Sequence, residues 1–219
     1  MLERLILGGF MMIPLMACSV IMLAVLIERG RAFWINSRVD VRSLRAQVTG
    51  MLDEGRLSEA MNVCGSTPGP VSAVLLAGLQ AYQRSLTRRL PPETQRLIVE
   101  KAMADYAPQA INACELRLNW LATISNVAPL FGMTGTVTGM IKSFGSLSGA
   151  GSLDAGVVGA GISEALVATA SGLIIALLSL IPYNGFMNRV TQINLEIGEA
   201  AADLVQTITI LGDASGKPR

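Results

Sequence analysis

Three long, strongly apolar stretches of this 219-residue chain carry no charged residue. Twenty-three residues separate Arg4 from Glu28, 24 separate Arg117 from Lys142, and 24 more separate Glu164 from Arg189. A helix needs about 20 apolar residues to cross roughly 30 Å of hydrocarbon, and each stretch meets that length. The expectation is three transmembrane helices, near 5–27, 119–141 and 163–186. The first could instead be a secretory signal, with "LMAC" ending at Cys18 as a faint lipoprotein-type cleavage site. Its apolar run continues well past the cysteine and exceeds the usual 7–15 residues, which favours a retained helix.

Composition agrees. Hydrophobic residues make up 51% of the chain and charged ones 15%, too few charges for an ordinary soluble surface. The net charge of +1 leaves no global basic field for nucleic acid. Three dispersed cysteines (Cys18, Cys64, Cys114) and the absence of histidine argue against a zinc site, a disulfide framework and the commonest catalytic triads. No nucleophile–base pair or phosphate loop appears, so an enzyme is the least supported class.

Basic residues set the expected topology. Residues 28–117 hold twelve of the seventeen, 143–162 hold none and the tail after 186 holds three. The positive-inside rule then puts 28–117 and the C-terminus in the cytoplasm and the N-terminus outside. The chain divides into a first transmembrane helix (1–27), a cytoplasmic helical domain (28–118), a second transmembrane helix (119–142), a short periplasmic loop (143–161), a third transmembrane helix (162–186), and a cytoplasmic helix and tail (187–219). The fold class is an all-α membrane protein with three transmembrane helices. The second and third are expected to continue as long cytoplasmic helices around a helical cytoplasmic insert.

Within the insert, residues 40–90 read as short helices, with Gly50 and Gly55 as breaks and "STPGP" (66–70) as a turn. "VSAVLLAGLQAYQRSL" reads as a helix packed in a bundle rather than a fourth span. From Pro92 onward no turn signal precedes the membrane except Pro108. The pattern predicts one helix over about 92–144, kinked at Pro108 and Pro129 and on the order of 80 Å long. The amphipathic pattern after Pro182 carries the third helix to about residue 211. Such stalks have apolar stripes that an oligomer would cover.

The second span is unusual for an anchor. "PLFGMTGTVTGMIKSF" (129–144) sets Thr134, Thr136 and Thr138 among glycines. Gly135 and Gly139 have the small-xxx-small spacing of close helix packing, and Ala168, Gly172 and Ala176 repeat it in the third span. Any one threonine can bond to a carbonyl one turn earlier. Thr123, Ser125, Asn126, Thr134, Thr136 and Thr138 together are too many and too scattered for one packing stripe, so some face other helices or water. Glu164 is the one acid at membrane depth. It is either an interfacial charge near a helix start or part of a wet seam with Ala168 and Ser171. One glutamate without histidine cannot relay protons across a bilayer, so proton transfer would require a carboxylate from another polypeptide.

"PLFGMTGTVTGMIKSF" followed by "GISEALVATASGLIIALLSLIPYNGF" resembles the MotA/TolQ/ExbB proton-channel family, closest to its ExbB/TolQ branch. The carriers are Gly135-Thr136-Val137-Thr138-Gly139, Gly161 to Leu173, and Pro182-Tyr183-Asn184. They cover about 60 residues. The four-span motor stators fit less well, because only three spans are present. The resemblance implies a subunit of a bacterial inner-membrane, proton-driven motor, with the N-terminus periplasmic and the C-terminus cytoplasmic. Five such subunits would surround two copies of a single-span ExbD/TolR-like partner whose membrane aspartate carries the proton. The motion would pass to a periplasmic element such as a TonB- or TolA-like protein. It further implies that Thr136 and Thr169 are pore-facing hydroxyls and Glu164 a polar residue near the pore. The proton is the coupling ion, and no cofactor or metal is expected. A proton falling through about 150 mV releases roughly 3.5 kcal/mol, enough to bias a step between packed states.

The chain departs from the pattern in a short N-terminus, in the additional hydroxyls Thr134 and Thr138, and in Lys142. That lysine could pair with Glu164 or Asp154, or anchor at the interface. A non-conducting scaffold of an envelope transport complex is the alternative function. A transporter permease would need internal repeats that the spans do not show.

Overall fold

The computed structural model describes residues 9–36, 39–150 and 155–216. Seven helices occupy them, with no strand among the described residues: α1 Met12–Asn36, α2 Val41–Asp53, α3 Leu57–Ser66, α4 Pro70–Thr87, α5 Pro92–Glu115, α6 Leu118–Ala150 and α7 Ala155–Gly216. The chain separates into two compact units. One comprises the residues up to Gly30 with Arg117–Phe186, the other Arg31–Leu116 with the residues from Met187 onward.

The first unit is packed inside-out. In α6 the buried positions are Leu118, Leu121, Ile124, Ala128, Gly132, Gly135, Gly139 and Ser143, recurring every three or four residues down one face. In α7 they are Gly161, Ala165, Ala168, Gly172, Ala176 and Ser179. The two stripes pair antiparallel. A Cβ added to Gly135 would lie 2.7 Å from Ala168 Cβ, one on Gly139 2.9 Å from Ala165 Cβ, and one on Gly172 2.5 Å from the carbonyl oxygen of Ala128. These are contacts that only small residues permit. Beside these contacts many large apolar side chains face outward, among them Leu130, Met133, Ile141 and Phe144 on α6 and Leu166, Leu177 and Ile181 on α7, while Leu118, Leu121 and Ile124 near the start of α6 are buried. Water would oppose such an arrangement, whereas a bilayer supplies apolar solvent for the outer face and leaves close backbone packing to hold the helices.

By length and apolarity, α1 and α7 could cross a membrane. Helix α6 opens with a run of 24 uncharged residues but falls short of that apolarity, because Asn119, Asn126, its hydroxyls and its glycines dilute it.

The second unit has an ordinary large-residue core. Asp40 caps α2, its carboxylate accepting from the amides of Arg42 at 3.0 Å and Ser43 at 3.3 Å. Leu44, Val48 and Leu52 then form the buried face of α2. Gly55, at φ +75°, turns the chain toward α3. Helix α4 opens with Pro70 in its first turn and buries Val71, Val74, Leu75, Leu79, Ala81 and Tyr82. It is the enclosed member of a bundle, as expected. Gly78 marks where α4, α5 and α7 cross, since a Cβ there would meet Met103 Sδ at 2.8 Å and Leu204 Cδ2 at 2.9 Å. The contribution of α7 is Ile193, Ile197, Ala200, Leu204 and Ile208, one face at helical period. Arg45 ties α2 to that helix, donating from Nε to Asp203 Oδ2 at 2.9 Å and from Nη1 to Glu199 Oε2 at 2.5 Å.

Three expectations need correction. The single helix over 92–144 is two helices. Pro108 lies inside α5 and Pro129 inside α6 without ending either. The break falls at Leu116, extended at ψ 129°, and Arg117, at φ +73°. The second span therefore does not continue as a cytoplasmic stalk, whereas α7 does run on without interruption to Gly216. No glycine or proline marks that break. Arg117 holds a conformation that favours glycine, and its guanidinium bonds the Glu28 carboxylate of α1.

The expected loop at 143–161 is largely helical, because α6 runs to Ala150 and α7 starts at Ala155. Ser143 is buried, donates to the Gly139 carbonyl at 2.9 Å and packs against Gly161, so packing prolongs helices through a glycine–serine sequence. Helix α1 is displaced toward the C-terminus relative to 5–27. It continues through Glu28, Arg29 and Arg31 to Asn36, and residues 1–8 lie outside the described residues.

Candidate functional site

Every threonine of the α6 motif is satisfied by its own helix. Thr134 donates to Leu130 O at 2.8 Å, Thr136 to Met133 O at 2.6 Å and Thr138 to Thr134 O at 3.0 Å. Thr123 and Ser125 do the same with Asn119 O and Ala122 O. Such back-bonding lets a hydroxyl occupy a membrane helix at little cost and keeps its lone pairs available to water or another chain. Thr169 differs, because it donates across the helix pair to the Gly132 carbonyl at 2.9 Å. That bond is possible because Gly132 has no side chain: a Cβ there would sit 3.0 Å from Thr169 Cα.

Successive helical residues are turned by about 100°, so threonines at every second position cannot share a face. Measured from the buried stripe, Thr134 and Thr138 lie on one flank of α6 and Thr136 on the other. On α7, Glu164 and Thr169 likewise fall on opposite flanks of the buried stripe. The antiparallel pairing puts Thr136 and Thr169 on one side of the helix pair. Glu164, Thr134 and Thr138 share the other side with Lys142. The five hydroxyl and carboxylate candidates thus form two groups rather than one row.

The ion pair on the second side is direct. Lys142 Nζ lies 3.2 Å from Glu164 Oε2, and the glutamate side chain is 25% exposed against 71% for the lysine. Glu164 is one of the two partners that the sequence left open for Lys142. Asp154, the other candidate, lies outside the described residues. The backbone entering α1 packs on the same side: a Cβ on Gly9 would fall 1.9 Å from Glu164 Oε1, and Met11 Cβ lies 3.6 Å from the Cβ position of Gly135. Sequence reasoning singled out neither Gly9 nor Gly132. Gly9 lies outside the motif, and Gly132 just before the small-xxx-small spacing. Gly135, Gly139, Ala168 and Gly172 are all buried in the helix contact, as their spacing predicted.

No group of three potential metal ligands occurs among the described residues. Inward small residues, outward large ones and self-satisfied hydroxyls define an all-α membrane protein organised around a close-packed helix pair. Comparison with known proteins makes the class specific. The MotA/TolQ/ExbB proton channel family matches residues 67–199. The chain is 29% identical over 187 residues to the Tol-Pal system protein TolQ of Haemophilus influenzae, covering 84% of this chain and 81% of that one. It is 32% identical over 184 residues to the same-named protein of Pseudomonas aeruginosa, covering 81% and 77%. It is 31% identical over 193 residues to the putative biopolymer transport protein ExbB-like 1 of Synechocystis, covering 84% and 69%.

This chain belongs to the MotA/TolQ/ExbB proton channel family, in its ExbB/TolQ branch. Its function falls within the energy transduction of that family, which is a proton channel family and not an enzyme family.

Proposed function

We propose that this chain is the ring-forming subunit of a bacterial inner-membrane motor, in which α1, α6 and the first half of α7 cross the bilayer. Five copies enclose two single-span ExbD/TolR-like helices, each with a membrane aspartate. Proton entry drives rotation or force on a periplasmic element, such as a TonB- or TolA-like protein. The proton is the only coupling species, and no metal or cofactor takes part.

The observation that carries this reading is the pairing of α6 with α7. Small residues fill the contact and large apolar ones point away, so the pair forms a wall suited to lipid and to other helices. Thr136 and Thr169 share one side of that wall, where hydroxyl lone pairs could hold water beside a guest carboxylate. Two ion pairs support the membrane placement. Glu28–Arg117 lies at one end of α6 and Lys142–Glu164 at the other. Arg117 and Lys142 are 25 residues apart, about 37 Å at 1.5 Å per residue, slightly more than the hydrocarbon thickness. Trp120, 54% exposed beside the first pair, suits an interfacial belt.

Coexpression with the single-span partner tests the reading. A complex of fixed stoichiometry should purify, and it should admit protons into vesicles only with the partner's aspartate intact. Separate purification of the two chains would overturn it. A non-conducting scaffold would tolerate Thr136→Ala and Thr169→Ala with full function, whereas the motor should lose most of its proton uptake.

A further inference from the structure

The Lys142–Glu164 pair belongs to a larger arrangement around one carboxylate, and this inference rests on the function proposed above. Glu164 is held from two sides. Lys142 of α6 supplies a cation at 3.2 Å to Oε2. The backbone of Gly9 approaches Oε1 so closely that a Cβ there would lie 1.9 Å from that oxygen and 2.9 Å from Cδ. Gly9 adopts φ +71°, a conformation that L side chains rarely hold, and its carbonyl accepts the first α1 bond, from Met12 N at 3.0 Å. Backbone conformation therefore favours glycine at position 9, and a Cβ there would push the Glu164 carboxylate, the flexible end of its side chain, out of its place. Around the carboxylate the frame is tight: Gly139 and Gly161 are in backbone contact, with Ser143 buried between the helices.

We propose that Lys142 and Gly9 form a clamp that fixes the Glu164 carboxylate on the α1 side of the α6–α7 pair. Lys142 is a positioning residue for the proton pathway, and Gly9 sets how closely the start of α1 approaches. Through this clamp, displacement of the segment entering α1 repositions that carboxylate. Steering by Lys142 needs a cation of sufficient reach, whereas the Gly9 side needs only the absence of a side chain.

A water-soluble carbodiimide, which joins paired ammonium and carboxylate groups as an amide, tests the clamp on the full-length protein in membranes. The expected product joins the peptides containing Lys142 and Glu164, migrates as a monomer, and is absent in Glu164→Gln. Gly9→Ala should reduce its yield severalfold. Failure of the monomeric cross-link to form, its appearance only between two subunits, or an unchanged yield in Gly9→Ala would each overturn the clamp. This arm needs no proton movement, so it stands apart from the proposed function. A second arm measures proton uptake by the partner-bound complex. Lys142→Met should change uptake severalfold with assembly intact, and Lys142→Arg should restore it. Equal uptake in wild type and Lys142→Met would remove the positioning role, while absence of uptake in every complex would instead count against the motor reading.

Discussion

Thr169 of α7 donates its hydroxyl to the Gly132 carbonyl of α6, 2.9 Å away, a hydrogen bond that crosses the helix pair. Replacing it with valine keeps the shape, removes the donor and leaves a carbonyl with one partner fewer. Thr169→Val should destabilise the detergent-solubilised protein by about 1 kcal/mol, the net worth of one such bond, while Thr169→Ser should stay near wild type. Thermal unfolding of the three proteins reads the difference. Equal midpoints would mean that the bond contributes nothing to the helix pair.

The α6–α7 contact should tolerate added volume far less than the bundle does. At Gly172 the first atom met is a backbone oxygen, Ala128 O at 2.5 Å, which cannot move without shifting α6. At Gly78 the first atoms met belong to the side chains of Met103 and Leu204, not to backbone. Gly172→Ala should therefore lie toward the upper end of the usual overpacking cost of about 1–3 kcal/mol, and Gly78→Ala at or below its lower end. Comparing unfolding midpoints and monodisperse yield checks the order, and reversal would show that α6 yields more easily than its packing implies.

Arg117 sits at φ +73° and bonds Glu28. An L residue in that region costs about 1–2 kcal/mol, which glycine avoids, while an exposed ion pair contributes about 0.2–1 kcal/mol. Arg117→Gly should thus match or exceed wild-type stability, and Arg117→Ala should fall below it, since alanine loses the pair and keeps the strain. The order of the three midpoints is the measurement.

Cys64 is buried in the second unit, and burial pushes its thiol up to about 11. It should resist maleimide near neutral pH in the folded protein and react once denaturant opens the bundle. The folded value exceeds the ordinary thiol value of 9.0, so the folded state holds this proton more tightly. Its stabilising contribution is complete below about pH 9 and is lost as pH rises toward 11. Cys64→Ser should flatten the alkaline fall in stability, as followed by urea unfolding across that range.

Much of this protein was legible from residue order. Charge-free runs are set by composition, and they located the apolar cores of α1 and α7. The spacing of Gly135, Gly139, Ala168 and Gly172 named the helix contact correctly, because small residues at four-residue intervals can serve only one face. Local chemistry also marked the bundle turns at Gly55 and Pro70, whereas Gly50, read as a break too, lies inside α2. The break at Leu116–Arg117 was not legible: no glycine or proline announces it, and the partner that Arg117 bonds there, Glu28, lies 89 positions away. The length of α6 was missed for a similar reason, since Ser143 gains from packing on Gly161 what its own propensity lacks.

What the sequence by itself determined was the inventory: which stretches are apolar enough to suit hydrocarbon, which faces are small, and where the hydroxyls and charges stand along the chain. Only the tertiary structure decided how that inventory is divided. It put Thr136 and Thr169 on one side of the helix pair and Glu164 with Lys142 on the other, and it brought Gly9 against the carboxylate. Helical periodicity fixes the angle between residues on one helix, but the side that two helices share depends on their register, which distant backbone contacts set.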